Sequence, residues 1–198
     1  MTRWQYVAVA AACAVFSAAV VVLRWVEPAD RPGSREGGRA EAADLFQKFF
    51  IERPREPVQA EPFEAVPLRG ALPKLTDHAG RYILLNFWAT WCEPCKKEMP
   101  ELEALYEELK TRNVVVLAVS MEETAEKVGK FLEKNPYKMP VLADPDGKIA
   151  RLYGVDSIPL TYLITPLGAI EGRALGPRHW NDPELRAYVA EAAAKTKR

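Results

Sequence analysis

Apolar positions along the chain fall into runs of three kinds, and each kind predicts a different element. The first is Tyr6 to Leu23, 18 residues without a charge, bracketed by Arg3 and Arg24 with Trp4 and Trp25 just outside. About 20 apolar residues span a bilayer and Trp favours its interfaces, so residues 1–26 read as a transmembrane signal-anchor that meets lipid through residues 4–25. A cleaved signal peptide is the rival, with Ser17 and Ala19 offering a small-residue cleavage site. Against it, Val20-Val21-Val22-Leu23 carries the apolar run past that site. Basic residues after the run outnumber those before it, which by count keeps the rest of the chain inside, but long domains translocate largely regardless of such charges.

A polar stretch follows. Glu27 to Arg39 holds two prolines, three glycines and alternating charges with no apolar face, the composition of a flexible tether. Leu45, Phe46, Phe49 and Phe50 then recur at helical spacing and predict a short amphipathic helix over about 40–52, lying on a membrane or docked on its own domain. Arg53 to Pro73 holds five prolines and reads as an extended approach. The linker is placed at 27–58 and the domain at 59–198.

Runs of the second and third kinds, short continuous and helical-stripe, alternate from there on. Leu72 to Thr76 predicts a short strand with Asp77-His78-Ala79-Gly80 as its turn. Tyr82 to Trp88 is nearly all apolar, as a central strand covered on both faces should be. Glu93 to Arg112 is charged but carries Cys95, Met99, Leu102, Leu105, Tyr106 and Leu109 on one stripe, which predicts a helix. Pro100 inside it lacks an N–H and predicts a kink. Val114 to Val119 is a second buried strand, and Ser120-Met121-Glu122-Glu123 has the form of a capping box opening a helix through about Lys134. Val141 to Ala143 predicts a strand, Asp144-Pro145-Asp146-Gly147 a turn and Lys148 to Tyr153 a short helix. Leu160 to Ile164 and Ala169 to Leu175 are joined by Thr165-Pro166-Leu167-Gly168, whose second-place proline and fourth-place glycine suit a type I turn and an antiparallel hairpin. Asp182-Pro183 opens a last helix to about Lys195. The fold class is α/β, a central mixed sheet flanked by helices, preceded by one transmembrane helix.

Composition narrows the chemistry. With 27 basic and 27 acidic residues there is no net charge, and nothing suggests nucleic acid. Three cysteines exclude a disulfide framework. Cys13 lies in the apolar run, and Ala10-Ala11-Ala12 lacks the large aliphatic residue expected three before a lipidated cysteine. Cys92 and Cys95 form a Cys-x-x-Cys pair where a strand gives way to a helix. Unsatisfied N–H groups and the helix dipole favour a thiolate there, and the thiolate is the nucleophile. Cys95 falls on the buried stripe, whereas Cys92 at the helix start is expected to stay exposed. A structural zinc needs four ligands, and His78 and His179 are the only histidines, so neither a metal nor a cofactor is expected.

The stretch Asn86-Phe87-Trp88-Ala89-Thr90-Trp91-Cys92-Glu93-Pro94-Cys95-Lys96-Lys97-Glu98 with Pro100, then Val155-Asp156-Ser157-Ile158-Pro159-Leu160-Thr161 and Gly176-Pro177-Arg178-His179-Trp180, resembles the thioredoxin superfamily. More narrowly it resembles the membrane-anchored TlpA/ResA-like thiol–disulfide oxidoreductases, over roughly Leu72 to Ala190. The resemblance implies a thioredoxin-like fold, a redox-active disulfide between Cys92 and Cys95, and a cis Pro159 facing the cysteines. It implies that the backbone at Ile158 pairs with substrate, that Glu98 is partly buried and assists proton transfer, and that Trp91 shapes the substrate surface. Glu93-Pro94 is similar to the reducing members. A peroxiredoxin-type peroxidase fits poorly, since Trp88 and Ala89 stand where proline and threonine would be required.

Thiol–disulfide exchange by Cys92 attack and Cys95 resolution is therefore the expected activity, with electrons passing to a client protein. Clients implied by the resemblance are apocytochrome c in cytochrome c maturation, or a copper-delivery protein in respiratory copper-centre assembly. A membrane thiol reductase would be the electron donor. Because disulfides persist in oxidising envelopes, the expected location is the bacterial inner membrane, single-pass, with the C-terminal domain in the periplasm. Two other readings are a soft-metal module that holds copper on the same two thiolates, and a disulfide oxidase of the same fold.

Overall fold

The computed structural model describes residues 45–68 and 71–194, so the anchor and tether expected before residue 40 lie outside the described residues. Among the described residues no helix is long and apolar enough to cross a membrane. Eight strands form one sheet: β1 Ile51–Glu52, β2 Val58–Gln59, β3 Val66–Leu68, β4 Tyr82–Trp88, β5 Val114–Met121, β6 Val141–Asp144, β7 Leu160–Ile164 and β8 Ala169–Leu175. Their order is β1-β8-β7-β4-β5-β6-β3, with β2 also on β8. β4, β5 and β6 run parallel, while β7 is antiparallel to β4 and to β8, which makes the sheet mixed.

The helices are α1 Glu93–Leu109, α2 Ala125–Lys134, α3 Lys148–Leu152 and α4 Pro183–Ala194. Every residue of β4 is buried, because both faces of the sheet are covered. Tyr82, Leu84 and Trp88 share one face with Val114, Val116 and Ala118, packed on Met99, Leu102 and Leu105 of α1 and on Leu185 and Val189 of α4. Ile83, Leu85 and Phe87 share the other with Val115, Leu117 and Val119, packed on Ile149, Tyr153 and Phe63. Each such side chain contributes about 1.5–3 kcal/mol when fully buried, so the central strands are the least deformable part of the molecule. They end at the cysteines.

Several segments differ from the pattern's expectation. Leu72 to Thr76 is not a strand: Lys74 makes an isolated bridge to Glu64, and Leu75–His78 is a 3-10 turn closed by Lys74 N–H donating to Asp77 Oδ2 at 3.0 Å. Ser120 does not start a helix either. It pairs with Trp88 and Ala143 inside the sheet, and α2 is capped by Thr124, whose hydroxyl accepts from Lys127 N at 3.3 Å. Pro100 lies within α1, which runs on to Leu109. The extended approach contributes β2 and β3 to the sheet.

The segment 45–58, read from the pattern as the end of a linker, packs into the fold. It makes a helical turn at 45–48 and then β1, which pairs with Ala174 and Arg173 of β8. Phe46 and Phe49 are buried in the core, and Phe46 meets the Tyr188 ring edge-on at 5.2 Å. This docking is possible because β8 carries Gly172 there: a Cβ would come within 2.6 Å of Ile51 Cγ2 and 2.8 Å of Phe46 Cε2.

Candidate active site

β4 delivers the chain to the site. Beyond Trp88, Cys92 N–H donates to Ala89 O at 3.1 Å, and Lys96 N–H to Cys92 O at 3.1 Å begins α1. Pro94 sits in the first turn, where a missing N–H removes no helical bond. Cys92 and Cys95 form a disulfide with Cα atoms 5.3 Å apart. Cys92 is the N-cap residue, and its Sγ accepts from Cys95 N–H at 3.3 Å. An amide already aimed at that sulfur would also stabilise its thiolate after reduction.

Cys95 is fully buried, as its place on the apolar stripe requires, but Cys92 is only 4 % exposed, which corrects the expectation of an open sulfur. Bonded to Cys95, it belongs to the apolar cluster under the sheet. Trp91 beside it is 61 % exposed and Glu93 is exposed and paired with Lys96. The outer rim of the site is therefore an aromatic ring and an ion pair, and the sulfurs lie behind it.

Glu98 stands one turn beyond Cys95 and is 3 % exposed. Its Oε1 accepts from Asn86 Nδ2 at 2.9 Å, and its Oε2 from Arg178 N at 3.1 Å and Trp180 Nε1 at 3.2 Å. Burial pushes its carboxyl up to about 7, against the opposing pull of these three donors and of the Arg178 charge. It therefore exchanges a proton near neutrality. Asn86 also donates to Thr161 Oγ1 at 2.9 Å, so one amide links β4, β7 and α1.

The Ile158–Pro159 bond is cis, in keeping with the resemblance. Leu160 pairs with Phe87 of β4, and Pro159 O accepts from Gly176 N at 2.8 Å, which puts the proline loop at the same end of the sheet as Trp88 and the cysteines. His78 is buried just before β4 begins, at the far end of that strand, and His179 is exposed beside Glu101.

Four residues carry no role at the site in the sequence reading: Asn86, Glu123, Arg178 and Trp180. Asn86 had a signal, since an amide inside a buried apolar strand requires partners. Glu123 was read as half of a capping box. Its carboxylate instead accepts from Thr90 N at 2.7 Å, Thr90 Oγ1, Ser120 Oγ at 2.7 Å and Lys127 Nζ at 2.8 Å. Burial pushes this carboxyl up, but the bonds from Lys127, Thr90 and Ser120 outweigh it and leave it below its ordinary value.

A mixed sheet that sets a helix-capping cysteine pair, a buried carboxyl and a cis-proline loop at one end defines a thiol–disulfide oxidoreductase of the thioredoxin fold. Comparison with known proteins makes this more specific. The family model described as AhpC/TSA family matches residues 58–173. The chain is 35 % identical over 147 residues to thiol-disulfide oxidoreductase ResA of Bacillus anthracis, covering 73 % of this chain and 84 % of that one. It is 43 % identical over 98 residues to ResA of Oceanobacillus iheyensis, covering 50 % and 51 %. Among solved structures, a Chlorobium tepidum protein described as thiol:disulfide interchange protein DsbE is similar with a TM-score of 0.62 and 30 % identity, over 68 % of this chain and 96 % of that one. StoA of Bacillus subtilis is similar with a TM-score of 0.57 and 25 % identity, over 65 % and 96 %. The chain belongs to the AhpC/TSA family and, within it, to the thiol-disulfide oxidoreductases of the ResA kind.

Proposed function

We propose that this oxidoreductase works as a reductant of disulfides in client proteins, with Cys92 as the attacking and Cys95 as the resolving sulfur. The Cys92 thiolate attacks one client sulfur, the client S–S bond breaks, and the departing client thiolate takes up a proton. A mixed disulfide remains. Cys95 then loses its proton, attacks Cys92 Sγ and displaces the second client thiolate, so two electrons pass to the client and the Cys92–Cys95 disulfide is left. The observation that carries this reading is Glu98, a buried carboxyl one helical turn from Cys95 that burial pushes up to about 7; in this scheme it accepts the Cys95 proton.

Glu93 favours the reducing direction. Its charge beside Cys92 opposes the thiolate, partly offset by Lys96, and a less stabilised thiolate makes the dithiol a better donor. Trp91 and the backbone at Ile158 would meet the client around Pro159. A client in cytochrome c maturation or copper-centre assembly, and a membrane thiol reductase that restores the dithiol, complete the scheme. Residues 1–26 would hold the enzyme in the bacterial inner membrane, single-pass, with the folded unit in the periplasm. Tethering raises the effective concentration of partners at that surface. The deciding experiment is the reduction potential of the Cys92–Cys95 couple together with turnover of a protein disulfide by Cys92→Ser. A value near about −120 mV would mark an oxidase instead, and wild-type turnover by the variant would overturn the mechanism.

A further inference from the structure

Arg178 lies in the loop between β8 and α4 and faces two ways. Its backbone N–H donates to Glu98 Oε2 at 3.1 Å, and two residues on, Trp180 Nε1 donates to the same oxygen at 3.2 Å. Its guanidinium does not touch Glu98 and is instead spent on main-chain carbonyls. Nε donates to Phe49 O at 2.7 Å, Nη2 to Phe50 O at 2.9 Å and to Leu175 O at 2.8 Å, and Nη1 to Pro177 O at 2.9 Å. One planar fork with several fixed donors thus joins the 49–50 turn to the loop that carries two of the three donors to Glu98. A lysine offers one nitrogen and cannot reproduce that geometry.

The 49–50 turn is held in a costly shape. Phe50 has φ 49°, the left-handed region that favours glycine, and its ring is exposed to solvent. Its carbonyl nevertheless points at Arg178. At the other end of the loop, Gly176 N–H donates to Pro159 O at 2.8 Å, so the same short stretch is fastened to the cis-proline loop.

We propose that Arg178 is a positioning residue for the exchange reaction: its side chain locks the 176–180 loop to the 49–50 turn so that the Arg178 amide and the Trp180 indole stay aimed at Glu98. This rests on the role given to Glu98 above. Without the fork, those two donors drift from the carboxylate, the charged form loses support and Glu98 keeps its proton to higher pH. Of the titratable and charged groups near Glu98, Lys97 and Glu101 lie on its own helix, His179 stands beside Glu101 and Arg178 comes from the loop, while the cysteines are closed as a disulfide and the sheet contributes the neutral Asn86 and Thr161.

The test is a carboxyl 13C NMR titration of Glu98 in the full chain for wild type, Arg178→Lys and Arg178→Ala, alongside the pH profile of single-turnover reduction of a small aromatic disulfide. Both variants should raise the Glu98 midpoint by about half a pH unit or more, a roughly threefold change in its protonation ratio. The corresponding limb of the rate profile should move with it in both variants when Glu98 is present, and be insensitive to Arg178→Ala in a Glu98→Gln background. An Arg178→Lys midpoint equal to that of wild type would overturn the proposal, since a lysine keeps the charge and loses only the fork. Lowered thermal stability with an unmoved midpoint would overturn it too. A midpoint that shifts while the rate profile stays fixed would instead sink the proton-transfer role of Glu98 and leave the positioning intact.

Discussion

Glu123 grips Thr90 through both carboxylate oxygens, one on the Thr90 amide and one on its hydroxyl, two residues ahead of Cys92. β4 and β5 are parallel neighbours, so their C-terminal ends lie side by side and an acid just past β5 reaches the loop just past β4. Glu122, at φ 57°, turns the chain to allow it. Glu123→Ala should leave the Thr90 amide, two hydroxyls and Lys127 without their acceptor. A loss of about 1–3 kcal/mol in urea unfolding is expected from the unsatisfied amide and hydroxyls, since Lys127 itself is exposed, with Glu123→Gln intermediate. The folded-state carboxyl lies below its ordinary value, so its contribution is present above the unfolded value and is lost as pH falls through the lowered one. The Ala variant should accordingly lose less stability than wild type on acidification.

Glu98 has the opposite sign. Its folded value of about 7 lies above the model-compound 4.5, so between these two the folded protein holds more protons than the unfolded chain and stability falls as pH rises. The shift corresponds to roughly 3 kcal/mol across that window. Glu98→Gln has no such slope. Unfolding free energies of the two proteins from pH 4 to 8 should diverge as pH rises, wild type losing ground, whereas parallel curves would refute a raised Glu98. On the proton-acceptor role proposed for Glu98, the variant should also be slower in exchange.

Legibility in the sequence follows how local each cause is. β4, β7 and β8 match their apolar runs residue for residue, because burial on both faces or a turn of fixed chemistry is written in neighbouring residues. The burial of Cys95 follows from helical spacing alone. The 45–50 segment could not be settled that way, since an aromatic stripe fits a membrane or a core equally well. Only the glycine at 172, more than a hundred residues later, makes room for it. Ser120 to Glu123 has the letters of a capping box, yet its serine was already committed to the sheet and its glutamate to another loop. Cys92 looked exposed because a helix start usually is. The cis Pro159 was supplied by resemblance rather than by spacing.

Asn86→Leu separates support of the acid from packing of the strand. The amide gives Glu98 one of its three hydrogen bonds, while its own Oδ1 has no hydrogen-bond partner among the described residues. Leucine leaves the buried Thr161 hydroxyl and one Glu98 oxygen without the donor that Asn86 supplies. Stability at pH 5 should therefore fall by about 1–3 kcal/mol. Above neutrality the charged carboxylate misses the donor, so the Glu98 midpoint should rise above its wild-type value of about 7. The same 13C titration reads it. A midpoint that stays or falls would mean that Asn86 does not support the charged form.

Gly172→Ala tests whether the 45–52 segment is an integral part of the folded unit. A Cβ there would sit 2.6 Å from Ile51 Cγ2, 2.8 Å from Phe46 Cε2 and 3.2 Å from Glu52 O. The third contact is backbone of β1, so rotamer changes alone cannot relieve the clash. Overpacking of this kind costs about 1–3 kcal/mol. The cheapest escape is for β1 to lift off β8 while the central strands stay paired. Brief proteolysis should then cut the variant within 45–58 well before the wild type, and the Arg178 fork, which holds Phe49 and Phe50, should loosen in the same step. Uniform destabilisation with no early cleavage there would show instead that the edge strand and the core unfold as one unit.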